Sequence, residues 1–302
     1  MTRSVLTRFA PAPTGLLHLG HVVNAIFVWG LARRLSADVL LRIEDHDAER
    51  SRPEYEAQLL DDLDWLGFVP DHYPTAAFRA GRCESRQSDR HAVYSAAVAR
   101  LQAQGRVYAC TCSRQDIAQR QLAGALSVVY PGTCRDRQVP LGDHVTWRVR
   151  MDAGDETFID LLHGPTTDDA ARRHGDPAIR DRRGNWTYGF AVVVDDLTQG
   201  IDLVIRGDDL FEATAGQLRL ARMIGRPEPA RFAHHGVIMK SPTQKLSKSD
   251  GDTGIAELRR RQWAPERVIG HAAALAGLIA PGVNASASDA ARLVAGVQLA
   301  RG

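Results

Sequence analysis

Cysteine is scarce in this sequence, four residues in 302, and three of the four crowd between Cys110 and Cys134. So few thiols exclude a disulfide-stapled scaffold, and in a reducing compartment their crowding favours metal ligation over cross-linking. Long apolar runs are missing too: none approaches the ~20 residues of a membrane span. Met1-Thr2-Arg3-Ser4-Val5 leads straight into a strand-like segment, without the apolar region and small-residue cleavage site of a signal peptide. The expectation is a soluble cytoplasmic protein with no membrane partner. Neither sign of charge prevails: 38 basic side chains against 36 acidic ones leave +2. No uniform field therefore announces a polyanionic partner, and nucleic-acid binding has to be argued locally. The arginines do cluster, at Arg33-Arg34, Arg172-Arg173, Arg180-Asp181-Arg182-Arg183 and Arg259-Arg260-Arg261. Such runs serve equally as phosphate contacts and as plain solvated surface. No repeat of 20–50 residues is present, which excludes solenoids and propellers.

What is present is an ordinary globular composition, 44% hydrophobic and 25% charged, able to bury a substantial core. Residues 5–10 read as a short strand, Pro11-Ala12-Pro13-Thr14-Gly15 as a breaker-rich loop, residues 18–35 as an apolar helix and 39–43 as a second buried strand. That β-α-β unit implies parallel strands. Ser51 caps a following helix with Pro53 in its first turn, Leu59, Leu60, Leu63 and Leu66 at helical spacing, and Gly67 as its stop. A further helix over 88–104 carries Val93, Ala97, Val98 and Leu101 on one face and ends at Gly105. Between 107 and about 185 the texture changes to short strand candidates, 145–149 and 158–161, among Gly, Asp and Arg, and reads as an insertion. The α/β texture returns with the apolar stretch 188–194, a strand over 203–205, a helix over 211–224 and the segment 235–239; an Ala-rich helical tail closes the chain.

Two constellations carry chemistry. His18-Leu19-Gly20-His21 stands where the loop after the first strand enters its helix. Ligands of open parallel sheets sit beyond the strands' carboxyl ends, and a helix N-terminus offers unpaired N–H groups to a phosphate. Two imidazoles there can hydrogen-bond phosphate oxygens as charge builds on them, and Gly20 leaves room for a nucleotide. The alternative reading gives these histidines a capping or packing role. The second constellation is Lys245-Leu246-Ser247-Lys248-Ser249, in a breaker-rich stretch far downstream. Its lysines can clamp the β- and γ-phosphates of a nucleotide, on a loop able to close during reaction. Alone it reads as a solvated basic loop, and the pairing with His18-Leu19-Gly20-His21 gives it meaning.

With these two motifs the chain resembles the class I aminoacyl-tRNA synthetases, whose signatures are HIGH and KMSKS. Arg8-Phe9-Ala10-Pro11-Ala12-Pro13-Thr14-Gly15-Leu16-Leu17-His18-Leu19-Gly20-His21 is similar to the opening of the glutamyl enzymes, and Arg42-Ile43-Glu44-Asp45-His46-Asp47 to their second-strand segment. Tyr188, Asp195-Asp196 and Ile205-Arg206-Gly207-Asp208-Asp209-Leu210 continue the likeness. The resemblance implies an α/β fold: a Rossmann-like parallel sheet with an inserted zinc-containing α+β subdomain and a short helical C-terminal tail. The implied divisions are 1–106 and 186–255 for the two catalytic halves, the latter with the KLSKS loop, 107–185 for the insertion and 256–302 for the helical segment.

The resemblance further implies a glutamate pocket of Arg8, Phe9, Ala10, Pro11, Ala12, Glu44, Tyr188 and Arg206. A guanidinium at Arg8 or Arg206 can grip a carboxylate bidentately, and Glu44 can hold the α-ammonium. Arginine disfavours glutamine, whose amide would present donor to donor. The bland alternative makes Glu44 and Arg206 paired structural charges. ATP falls to His18, Gly20, His21, Lys245 and Lys248, with His18, His21, Lys245 and Lys248 as the catalytic set and Mg²⁺ bound mainly by the phosphates. Ala12 stands where the family has serine; a lost hydroxyl contact there costs about 0.5–1.5 kcal/mol, a weakening only. Cys110, Cys112, Tyr130 and Cys134 match the family's zinc pattern, one structural ion; tyrosine is an uncommon ligand, so water or another nearby group in its place is one alternative and three unligated thiols the other. Cys83 reads as a small buried hydrophobe.

Little sequence follows the KLSKS loop, and no anticodon-reading domain is legible in it. The expectation is therefore the shortened branch of the family, a monomer that transfers glutamate to the queuosine base in the anticodon arm of tRNA-Asp. Alternatives are a minimal glutamyl-tRNA synthetase charging a tRNA 3′ end and a noncatalytic RNA-binding paralogue.

Overall fold

The structure, a computed structural model, describes residues 4–119, 129–241, 244–245 and 254–300. In chain order the elements are β1 Val5–Phe9, α1 Leu19–Arg34, β2 Ala37–Leu41, α2 Pro53–Leu66, α3 Thr75–Arg79, α4 His91–Ala103, β3 Val107–Cys110 and α5 Arg114–Gln119. Then come β4 Thr146–Val149, β5 Asp155–Asp160, β6 Gly164–Asp169, α6 Ala170–His174, β7 Ala178–Arg180, α7 Tyr188–Thr198, β8 Leu203–Gly207 and α8 Thr214–Met223. β9 Arg231–His235, β10 Met239–Ser241, β11 Gln244–Lys245, α9 Ile255–Arg260, α10 Pro265–Leu275 and α11 Ala290–Leu293 complete the set.

β1 and β2 pair in parallel, as do β8 with β9 and β9 with β5; β6 adds an antiparallel edge. β1 runs beside β8, joined where Leu6 accepts from the Asp202 backbone N–H at 2.9 Å and where Arg8 donates to the Ile205 carbonyl at 3.2 Å. The order β2-β1-β8-β9-β5-β6 aligns the carboxyl ends of β1, β2, β8 and β9, the edge where open parallel sheets bind ligands. α1 is apolar nearly all round and is buried from Val22 through Ala32 apart from Asn24, so it lies inside the domain rather than on its surface. α11 crosses α1 at Gly30, where a β-carbon would stand 2.6 Å from the Ala290 carbonyl oxygen. Only glycine permits that approach, which locks the C-terminal segment onto the catalytic core.

Several elements depart from expectation. β2 begins at Ala37 because Ala37 and Asp38 already pair with Val5 and Leu6; the ladder loosens past Leu41, where Arg42 donates to Phe9 O and Glu44 to Pro11 O. Ser51 does not cap α2: Arg52 is the N-cap residue, Pro53 fixes the first turn, and the Ser51 hydroxyl is buried without a partner. Gly67 ends that helix with φ 81°, as the sequence predicts. The apolar stretch 188–194 is helical, within α7, and 235–239 splits between β9 and β10. The segment 107–185 contributes to two sheets. β3, β4 and β7 form a separate antiparallel sheet, while β5 and β6 join β9. The arginine runs are largely engaged within the chain, Arg34 with the carbonyls of Val294 and Val297, Arg33 with Asp71 and Arg259 with Asp62.

Candidate active site

A cavity of about 380 Å³ opens at the carboxyl edge of the parallel sheet. Arg8, Ala10, His18, Gly20, His21, Asn24, Glu44, Tyr188, Arg206 and His235 are among its lining residues. At its mouth the α1 N-terminus is tied by a reciprocal capping box: His18 Nδ1 accepts from the Gly20 backbone N–H, and His21 Nδ1 accepts from the His18 backbone N–H, both at 3.1 Å. The capping role and the phosphate-binding role are thus compatible. A backbone N–H can only donate, so each neutral ring must carry its proton on Nε2. A β-carbon on Gly20 would sit 2.8 Å from the His18 ring, so glycine is what lets the ring fold over the helix end.

Beneath the helix end lies a buried charge network. Arg42, wholly buried, donates to Glu44 Oε1 at 3.1 Å and to Asp196 Oδ1 at 2.8 Å; Arg8 donates to the same Asp196 oxygen at 3.2 Å. Asp195 takes Arg90 at 2.7 Å, Gln87 at 2.7 Å and the Tyr94 hydroxyl at 3.0 Å. Burial opposes the Arg42 charge, but Asp196, Glu44 and Asp195 outweigh it and drive its pKa further up. Desolvation holds Glu44 above the ordinary carboxylate value despite Arg42. Its Oε1 is committed to Arg42, and among the described residues Oε2 accepts no hydrogen bond.

Arg206 differs from the other three arginines. It is 4% exposed, and its partners are His234 Nε2 at 2.9 Å, Gln217 Oε1 at 2.7 Å, Thr214 Oγ1 at 2.9 Å and Leu210 O at 3.2 Å. Every acceptor is uncharged; among the described residues no carboxylate pairs with it. Desolvation, partly offset by the Tyr188 phenol, pulls its pKa below the ordinary guanidinium value. A buried cation that lacks a counter-ion carries uncompensated positive charge, which a nearby anion would stabilise.

Of the residues expected at the site, Arg8, Ala10, His18, Gly20, His21, Glu44, Tyr188 and Arg206 meet at this cavity. Phe9, Pro11 and Ala12 are not among its lining residues: strand alternation turns Phe9 into the core at 1% exposed, and the Pro11 carbonyl instead anchors the Glu44 N–H. Lys245 pairs with Met239 through the backbone in the β10–β11 hairpin. Lys248 lies outside the described residues, and where the chain resumes Gly254 bridges His18. Asn24, His234 and His235 were not anticipated. Asn24 was within reach, one helical turn beyond His21 on the same face; His235 accepts or donates at 3.0 Å to Asn24 and stacks on Phe27 at 4.5 Å.

Cys110, Cys112 and Cys134 come together away from this cavity, their sulfurs all within 4.8 Å of one another. Cys112 and Cys134 Sγ are 3.6 Å apart and the Tyr130 hydroxyl is 3.3 Å from Cys110 Sγ; sulfurs on one tetrahedral zinc stand about 3.7 Å apart. Against its desolvation, hydrogen bonds from Thr111, Tyr130 and Cys112 bring Cys134 down to about 6, and desolvation with the Cys134 contact lifts Cys112 to about 11. The cluster thus already favours one thiolate, and its donor set fits zinc. Without a metal, desolvation and Cys110 raise the Tyr130 phenol. Gly175 backs this tyrosine: with φ 62°, a β-carbon there would lie 2.2 Å from the Tyr130 carbonyl oxygen. Cys83 is buried, and among the described residues it belongs to no such cluster.

Comparison with known proteins agrees with this geometry. Residues 4–284 match the family described as tRNA synthetases class I (E and Q), catalytic domain. The chain is 40% identical over 288 residues to a glutamyl-Q tRNA(Asp) synthetase of Rhodobacter capsulatus, covering 88% of this chain and 100% of that protein. It is 38% identical to glutamate–tRNA ligase 2 of Syntrophus aciditrophicus, of which it spans 58%. A crystal structure of a glutamate tRNA ligase from Elizabethkingia meningosepticum, in complex with its amino acid, superposes with a TM-score of 0.75 at 25% identity, covering 96% of this chain and 64% of that one. With sheet, helix-end histidines and buried charge network in place, this chain belongs to the class I aminoacyl-tRNA synthetases of the glutamyl and glutaminyl group.

Proposed function

We propose that this protein activates L-glutamate with ATP and transfers the glutamyl group to the queuosine base in the anticodon arm of tRNA-Asp. The observation that carries the first step is Arg206, a buried cation without a carboxylate, sharing one cavity with the Glu44 edge and the α1 N-terminus. Glutamate brings two carboxylates and one ammonium, and ATP brings phosphates; those are the charges this cavity lacks. Arg206 and Arg8 take carboxylate, Glu44 Oε2 takes the ammonium, and Tyr188 closes the wall between them.

An oxygen of the glutamate α-carboxylate attacks the α-phosphorus; the bond to the β-phosphate oxygen breaks, and pyrophosphate leaves with that electron pair. Catalysis is alignment plus charge stabilisation, with the Nε2–H groups of His18 and His21 directed at phosphoryl oxygens. Lys245 and Lys248 are assigned the departing phosphates, and Mg²⁺ arrives with ATP. Residues 1–106 and 186–255 supply this centre, 256–302 buttresses α1, and 107–185 carries zinc while lending β5 and β6 to the main sheet. Cys110, Cys112 and Cys134 hold that ion, with the Tyr130 oxygen as fourth donor. Metal analysis is expected to find about one zinc per chain, lost in Cys134→Ala; a metal-free chain of undiminished thermal stability would remove the ion from this reading.

The raised pKa of Glu44 gives a pH signature. Only the ionised carboxylate holds the ammonium, so glutamate affinity is full above the raised pKa and declines as pH falls through it, at pH values above the ordinary 4.5. The glutamate KM should climb on acidification in the native enzyme and be flat with pH in Glu44→Gln. A flat native profile would place the ammonium elsewhere.

The acceptor rests on the end-to-end likeness to the Rhodobacter capsulatus protein. Labelled glutamate, ATP and Mg²⁺ are incubated with tRNA containing queuosine and with matched tRNA lacking it. Label confined to queuosine in tRNA-Asp is the expected result. Label on both, at the 3′ end, would make this a minimal glutamyl-tRNA synthetase, the reading its likeness to the Syntrophus ligase favours.

A further inference from the structure

Three adjacent strands each place one polar residue in a line behind the cavity. Arg206 on β8 is in register with His234 on β9, and Asp160, which ends β5, pairs with β9 at Phe232. Asp160 is 0% and His234 1% exposed. Asp160 Oδ2 lies 2.6 Å from His234 Nδ1, and His234 Nε2 accepts the Arg206 Nε–H at 2.9 Å. The guanidinium cannot accept a hydrogen bond, so Nε2 must be bare and the ring proton must sit on Nδ1, facing the carboxylate. Asp160 is fixed in turn by the backbone N–H groups of Leu162 at 2.8 Å and His163 at 3.0 Å. The imidazole is held flat against Phe232, 6° from parallel, with Phe211 edge-on at 78°. Moving the proton to Nε2 would forfeit the bonds to Asp160 and Arg206 and leave it only Thr214 Oγ1, 3.3 Å away.

We infer that Asp160 and His234 are positioning residues for substrate selection: the carboxylate sets the imidazole tautomer, and the imidazole orients Arg206 while leaving its positive charge uncancelled. The inference rests on the glutamate reading of the cavity. A carboxylate placed directly on Arg206 would orient it equally well but would compete with the carboxylate of an incoming amino acid. Interposing a neutral ring separates the two tasks. Arg42 shows the contrast, being bound directly by acidic groups and serving the fold rather than a ligand.

Asp160→Asn tests this without touching the cavity. Its amide oxygen still accepts the loop N–H groups, but its NH₂ faces Nδ1, forcing the ring proton onto Nε2 and setting donor against donor at Arg206. The glutamate KM in ATP–pyrophosphate exchange should rise about tenfold or more, with ATP KM within about twofold, as expected when a charged hydrogen bond is misaligned. His234→Gln, which restores an acceptor near the Nε2 position, should recover most of that loss, whereas His234→Asn, which cannot reach Arg206, should not. A purely structural role would lower stability in all three and move both KM values together. Unchanged glutamate KM in Asp160→Asn or in His234→Asn overturns the inference. A native protein that exchanges no pyrophosphate with glutamate overturns the glutamate reading itself, a result visible before any variant is made.

Discussion

An Arg206→Leu enzyme is expected to lose its hold on glutamate, the glutamate KM rising ~100-fold or more while the ATP KM stays within about twofold. Leucine keeps apolar bulk against Phe232 but removes a buried guanidinium whose acceptors, His234, Gln217, Thr214 and Leu210, are all neutral. Those acceptors then lose their donor, so some stability goes as well, about 1–3 kcal/mol per buried group left unpaired. The ATP KM separates the two effects, since a loosened fold would weaken both substrates. Steady-state exchange kinetics at varied glutamate and ATP decide the matter. A glutamate KM within threefold of the native value would mean that the substrate carboxylates are held elsewhere, with Arg8 the next candidate.

His18→Asn should leave the fold nearly intact and cut kcat for adenylate formation by ~100-fold, the usual cost of removing one donor to a developing charge. Asparagine is among the best N-cap residues, and its Oδ1 can take over the bond from the Gly20 N–H that His18 Nδ1 now accepts. It has nothing to replace the Nε2–H. Thermal unfolding should therefore stay within about 1 kcal/mol of native while single-turnover activation slows. His18→Ala, which removes cap and donor together, should lose both. If His18→Asn activates glutamate at the native rate, the helix-end histidines are caps and nothing more.

Much of the site was legible because its first layer is local chemistry. His18-Leu19-Gly20-His21 follows a loop rich in Pro and Gly, and whatever strand precedes it, those residues start a helix and crowd two imidazoles at its end. Glu44 and Arg206 were reachable only through the resemblance of their segments to the glutamyl enzymes. Asp160 and His234 were not. Each reads in sequence as an ordinary charged or polar residue in a short strand, and His234 stands beside a second histidine that does something else. Phe9, which the family resemblance groups with Arg8 and Ala10, turns into the core by strand alternation, and Pro11 and Ala12 do not line the cavity.

The sequence by itself determined the alternation of strand and helix and the pair of histidines at a helix start, because capping, turn formation and hydrophobic periodicity act over a few residues. Only the tertiary structure decided which charges cancel. Arg8, Arg42, Arg90 and Arg206 look alike along the chain, yet three meet carboxylates and one meets an imidazole. Electrostatic compensation is a through-space quantity, set by which strands lie side by side, and at the cavity it leaves Arg206 without a carboxylate.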